Sequence, residues 1–168
     1  MKNIYLIGFM GTGKTVVGKL LAKKLGLEFI DLDDVIEEKE GIKISEIFKQ
    51  KGEPYFRKVE KEVVRDISQK SGLVIGCGGG VVLDKDNLVN LKKTGTVICL
   101  EARAEVILNR TKTTNHRTLL NVEDPKKKIE ELLSQRVPFY SQAHFTIDTS
   151  RLNIKEVAQK ILNLIENS

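Results

Sequence analysis

Gly8-Phe9-Met10-Gly11-Thr12-Gly13-Lys14-Thr15 is the stretch of this 168-residue chain whose residue types and spacing point most directly to chemistry. Gly8, Gly13, Lys14 and Thr15 fill the defining positions of a phosphate-binding loop, and Gly11 adds another position without a side chain. Such a loop surrounds phosphates with main-chain N–H groups and a helix N-terminus, its lysine supplying a mobile positive charge and its threonine a magnesium ligand. A glycine turn that merely joined a strand to a helix would give no reason for a Lys-Thr pair in the first helical turn. The segment implies binding of a nucleoside triphosphate, with Lys14 stabilising the transferring oxygens.

A loop of this kind needs a strand to deliver it and a helix to receive it. The first strand is expected from Asn3 to Ile7 and its helix from Lys14 to about Leu25, where Gly26 supplies a stop. Glu28-Phe29-Ile30 then forms a brief strand leading into Asp31, and further strands are expected at Leu73 to Gly76, Thr96 to Leu100 and Phe145 to Ile147. Their β-branched content, without clean two-residue alternation, suits a parallel sheet covered on both faces. The alternation with helices at Asp84 to Lys93, Arg103 to Arg110, Asp124 to Arg136 and Ile154 to Ile165 predicts a single α/β domain over residues 1–168. Ligands of such sheets bind at the strand ends.

Two connections stand out. Asp34 to Lys70 is an extended helical region, broken near Gly41 and again at Gly52-Glu53-Pro54, and is expected to form a small subdomain over the ligand crevice. Glu60, Val63, Val64 and Ile67 give its last piece helical spacing. Thr111 to Thr118 has no apolar anchor, and composition leaves two readings open: a loop that closes over the reaction to exclude water, or an ordinary polar surface loop. His116 reads as a residue of that loop, and His144 as a structural or rim residue rather than a catalyst.

With 40% hydrophobic residues the chain can build a sizeable core. Its 28 basic and 23 acidic residues leave +5, but they are interspersed, which favours anionic small ligands over a nucleic-acid stripe. Cys77 and Cys99 lie in apolar runs, where buried thiols are expected in place of a disulfide or a metal pair. Met1-Lys2-Asn3 leads straight into the first strand and no apolar run reaches bilayer length, so neither a signal segment nor a membrane span is expected and a cytoplasmic location is the default.

Asp31-Leu-Asp33, Gly52-Glu-Pro-Tyr-Phe-Arg57-Lys-Val-Glu60, Gly78-Gly79-Gly80, Arg117 with Leu119-Leu120, and Arg136-Val-Pro-Phe-Tyr140 with Ala143 follow the phosphate loop in order. Together they cover most of the chain, and the pattern resembles the shikimate kinase family. The resemblance implies a monomeric, P-loop nucleoside-monophosphate-kinase-like three-layer α/β fold with a five-stranded parallel sheet. It also implies an acceptor-binding subdomain at about 32–61 and a lid at about 111–123. The implied reaction is phosphorylation of the shikimate 3-hydroxyl, with ATP as co-substrate and Mg2+ as cofactor, in chorismate and aromatic amino-acid synthesis.

By the same resemblance, nucleotide contacts run from Gly11 through Thr12, Gly13, Lys14 and Thr15 to Val16, with Arg110 packing near adenine and Arg117 reaching the transferred group when the lid closes. Thr15, and Asp31 through water, are expected to place the metal. Asp33 is expected to contact the acceptor hydroxyl, Gly79 to offer a main-chain contact, and Arg57 and Arg136 to bind the acceptor carboxylate. Lys14, Asp33 and Arg117 make up the expected catalytic set, and Glu60 orients Arg57 from behind. Other readings of these residues are a helix cap among Asp31, Asp33 and Asp34, with Asp34 the expected cap, a surface ion pair for Arg57 and Glu60, and a tight turn for the glycine run. The family lid ordinarily continues Arg-Pro-Leu-Leu, whereas this chain has Arg117-Thr118-Leu119-Leu120. A gluconate-like small-metabolite kinase or a non-enzymatic nucleotide switch would share the phosphate loop, but the switch leaves the acceptor residues without a task.

Overall fold

The computed structural model describes residues 1–112 and 122–167. Among them, five strands form one all-parallel sheet in the order β2-β3-β1-β4-β5, with β1 at Asn3–Ile7, β2 at Glu28–Asp31, β3 at Leu73–Gly76, β4 at Gly95–Glu101 and β5 at Phe145–Asp148. Pleating sends alternate side chains to opposite faces, and both faces are apolar. Ile4, Leu6, Val74, Ile98, Leu100 and Ile147 share one core with α1 (Lys14–Leu25) and α7 (Ile154–Glu166). Tyr5, Ile7, Ile75, Val97 and Cys99 share the other with α3 (Ile44–Ser68) and α6 (Pro125–Tyr140). Burial on both sides explains why the strands read as continuous apolar runs. Cys77 and Cys99 are both buried, as their surroundings predict.

The expected breaks between Asp34 and Lys70 fall at glycines. Gly41 ends α2 (Leu32–Glu40) in a left-handed conformation at φ 70°. Gly52 interrupts α3 at φ 80°, ψ 168°, a region essentially reserved for glycine, so α3 is two helical segments meeting at a kink. The kink turns the second segment, which carries Phe56, Val59, Glu60, Val63 and Val64, into the core.

Two expectations are corrected. Asp34 is not the cap of α2: Asp31 is, its Oδ1 accepting the Asp33 N–H at 3.0 Å, because the helix starts at Leu32 with no loop in between. The helix expected to stop at Arg136 runs on to Tyr140 through Pro138. Proline in the last turn removes only one intrahelical bond, and burial of both Arg136 and Tyr140 holds the continuation in place. The remaining helices are α4 (Lys85–Thr94) and α5 (Ala104–Thr111), and a 3-10 turn covers Val81–Leu83.

Candidate active site

The glycine loop leaves the C-terminal end of the central strand β1 and enters α1 at Lys14. Gly8 sits at φ 134° against the Leu100 carbonyl, where a Cβ has no room, so the loop rests directly on β4. Lys14 Nζ donates to the Gly8 and Phe9 carbonyls at 2.7 and 2.8 Å, which folds its charge across the loop mouth. Thr12 is buried and its hydroxyl donates to the Phe9 carbonyl at 2.8 Å. Val16 stands half exposed in the first turn of α1. Arg110, at the end of α5, donates to the Gly11 carbonyl at 3.2 Å and to Thr149 Oγ1 and O at 3.0 and 2.8 Å, which ties it to the flank of the loop.

The carboxylates follow β2. Asp31 uses one oxygen to cap α2, and its other, Oδ2, accepts the Thr15 hydroxyl at 3.0 Å. One side chain therefore fixes the entry to α2 through one oxygen and pairs with the phosphate loop through the other. Asp33, one helical step beyond Leu32, is partly buried beside the glycines that follow β3.

Those three glycines explain how the acceptor candidates meet. A Cβ on Gly78 would lie 3.0 Å from Asp33 Oδ1 and 3.3 Å from Glu60 Oε2. On Gly79 it would lie 3.1 Å from Arg136 Nη1 and 3.6 Å from the Gly8 carbonyl, and on Gly80 it would overlap the Arg57 guanidinium. The bare backbone lets side chains from α2, α3 and α6 close around a single loop next to the phosphate-binding mouth. Asp33, Arg57, Glu60, Gly79 and Arg136 are thus brought together, with Lys14 adjoining through Gly8.

Burial shapes the electrostatics. The Asp33 carboxyl is pushed up to about 6, first by desolvation and then by Asp31, with Lys14 opposing. Glu60, 2% exposed, is likewise raised to about 6 by burial, although Arg57 Nη1 donates to its Oε1 at 2.8 Å. A buried carboxylate held by one arginine is a rigid arrangement rather than a surface pair. Arg57 also reaches Glu53 Oε1 at 3.3 Å, so its guanidinium is anchored from the turn before it and the turn after it. Arg136 is 5% exposed and lies over the Phe9 ring, 5.4 Å from its centroid.

Tyr140 and Thr149 carry contacts that were not foreseen. The Tyr140 hydroxyl donates to the Gly79 carbonyl at 2.6 Å, and burial raises the phenol to about 12, so it remains a donor. Its spacing of four from Arg136, placing both on one helical face, was the available signal. Thr149 lies beyond β5, far in sequence from the loop it touches, and nothing local marks it. His144 has the structural place expected of it, its Nδ1 accepting the Val97 N–H at 2.9 Å. Arg117, His116 and Thr118, with most of the expected lid, lie outside the described residues.

A glycine loop between β1 and α1 of an all-parallel sheet, with paired carboxylates at the end of β2, defines a P-loop phosphotransferase of the nucleoside-monophosphate-kinase-like class. The family model for shikimate kinase matches residues 10–166, and the chain belongs to the shikimate kinase family. It is 54% identical over 166 residues to a shikimate kinase of Thermodesulfovibrio yellowstonii, covering 99% of this chain and 96% of that relative. The solved shikimate kinase of Acinetobacter baumannii, in complex with shikimate, superposes with a TM-score of 0.96 at 43% identity, covering 99% of this chain and 94% of that one. The structure of the Aquifex aeolicus shikimate kinase gives 0.86 at 38% identity, with 98% and 96% covered.

Proposed function

We propose that this chain transfers the terminal phosphoryl group of ATP to the 3-hydroxyl of shikimate, giving shikimate 3-phosphate and ADP in the pathway to chorismate. The observation that carries this reading is the meeting, around Gly78 to Gly80, of an acidic residue, two arginines and the mouth of the phosphate loop, in a chain of the shikimate kinase family. An acceptor bearing both a hydroxyl and a carboxylate suits that set.

Arg136 and Arg57 bind the acceptor carboxylate through their planar forks. Glu60 holds Arg57 at its angle, and the Gly79 backbone approaches the acceptor without a side chain in the way. Asp33 accepts the hydrogen bond of the attacking hydroxyl. With its carboxyl pushed up to about 6, Asp33 is ionised near neutral pH yet basic enough to take the proton as the oxygen attacks. The new oxygen–phosphorus bond forms in line with the breaking bond to ADP, and no covalent enzyme intermediate is needed. Lys14 exchanges its loop carbonyls for phosphate oxygens and balances their charge. Arg117, by its match to the family's sequence pattern, supplies a further positive charge to the transferred group.

Thr15 and Asp31 set a hydroxyl and a carboxylate side by side at 3.0 Å, an all-oxygen pair whose chemistry fits Mg2+, which Thr15 would hold directly and Asp31 through water. When bound there, Mg2+ supplies positive charge to the phosphate oxygens. Interspersed charge supports a partner list of ATP and shikimate without nucleic acid, and a monomer in the cytoplasm is the simplest setting for it. None of the described helices is long and apolar enough to cross a membrane.

The test is a purified-protein assay of ADP formation with shikimate, gluconate or no acceptor. Shikimate-dependent ADP release is expected, with little in the other two arms; equal release in all three would reject the acceptor assignment.

A further inference from the structure

Thr149 joins four parts of the molecule at one buried point. It is 2% exposed, just beyond β5. Its hydroxyl lies 3.2 Å from the Thr12 carbonyl and 3.0 Å from the Glu101 carbonyl, so one proton serves two acceptors, and its oxygen accepts from Arg110 Nη1 at 3.0 Å. Arg110 Nη2 donates to the Thr149 carbonyl at 2.8 Å, and Arg110 Nη1 also reaches the Gly11 carbonyl at 3.2 Å. The Thr149 N–H donates to the Glu101 carbonyl at 2.8 Å, which fixes the residue to the end of β4. Two consecutive carbonyls of the glycine loop, Gly11 and Thr12, are therefore held from the same side.

A trans peptide is planar, with its C=O and N–H pointing in opposite directions, and no described peptide bond is cis. Holding the Gly11 carbonyl aims the Thr12 N–H away from the clamp, and holding the Thr12 carbonyl does the same for the Gly13 N–H. We infer that Thr149, acting through these two peptide planes and with Arg110, is a positioning residue that pre-orients the Thr12 and Gly13 amides toward the nucleotide phosphates. Thr149 touches no reacting atom. Its effect lies in removing the cost of turning two amides at the moment of binding. This inference rests on the reading of residues 8–15 as the phosphate cradle and is independent of which acceptor is used.

The test is calorimetric titration of Thr149→Val, which keeps the shape and loses the hydroxyl, with three probes: ADP, inorganic tripolyphosphate and shikimate. Dissociation constants for ADP and tripolyphosphate are each expected to rise about tenfold, the scale of one lost hydrogen bond, with shikimate unchanged. Thr149→Ser, which keeps the hydroxyl, is expected to restore both. Thr149→Ala carries the same comparison if the valine variant does not fold. Weakening of ADP with tripolyphosphate unaffected would move Thr149 to the nucleoside side and overturn the inference. So would equal weakening of all three probes, or no change in any. Wild-type protein that made no phosphorylated shikimate would reject the proposed reaction, while the ADP and tripolyphosphate comparison would still decide the role of Thr149.

Discussion

At the scale of single residues, the proposed reaction gives binding to Arg136 and chemistry to Asp33. If Arg136 binds the acceptor carboxylate as proposed, Arg136→Ala leaves that group without its charge-assisted partner, a loss of about 2–4 kcal/mol. Apparent shikimate affinity is expected to fall accordingly while nucleotide affinity holds. Arg136→Lys should recover only part, since charge returns without the planar fork; a defect confined to ATP would place Arg136 on the nucleotide side instead. On the proposed reading Asp33 sets the pH response. Because its carboxyl and that of Glu60 both sit at about 6, kcat/KM for shikimate is expected to fall as pH drops through that region and these groups protonate. Glu60→Gln should weaken binding through Arg57 yet keep an acid limb if Asp33 is the group that must be ionised; loss of the limb in that variant would give the role to Glu60.

At the scale of elements, the Gly52 kink links local conformation to the site. Alanine at φ 80°, ψ 168° is strained by on the order of 1–3 kcal/mol, and relief by straightening α3 would swing Arg57 away from Gly80. Gly52→Ala is expected to lower the midpoint of thermal unfolding and raise the KM for shikimate more than that for ATP. A lower midpoint with unchanged shikimate KM would make the kink purely structural. The breaks at Gly41 and Gly52 were legible because glycine and proline act on their own neighbours, and so was the phosphate loop, whose function is local backbone geometry. The end of α6 was not legible: Pro138 signals a stop, whereas buried contacts of Arg136 and Tyr140 with Phe9 and Gly79 override it. Asp34 is the expected cap by its place before Val35-Ile36, and only the immediate passage from β2 into α2 gives that role to Asp31. Thr149 could not be found at all, because its partners come together only after the sheet is assembled.

For the whole molecule, the same burial that prepares the site weakens the fold. Asp33 rises from 3.8 to about 6 and Glu60 from 4.5 to about 6, so between about pH 4 and 6 the folded chain holds protons that the unfolded chain has released. Their contribution to stability is fully present below about pH 4 and is lost as pH rises through about 6. For ligand-free protein, the share of the stability difference between pH 5 and pH 8 that belongs to Asp33 is on the order of 1–3 kcal/mol, and Asp33→Asn should remove it by stabilising the protein at pH 8. An unchanged pH dependence of unfolding in that variant would contradict the burial of charge at this position.

The claim that joins these scales is that the glycine loop and the Gly78 to Gly80 loop form one phosphotransfer site with shikimate as acceptor. Phosphorus NMR of the purified protein with ATP, Mg2+ and shikimate tests it most directly, because it separates a phosphate ester from free phosphate. Appearance of one phosphomonoester matching ADP mole for mole, attached at the 3-hydroxyl and absent with gluconate, is the expected result. Release of inorganic phosphate alone, or an ester formed equally well on gluconate, would contradict it.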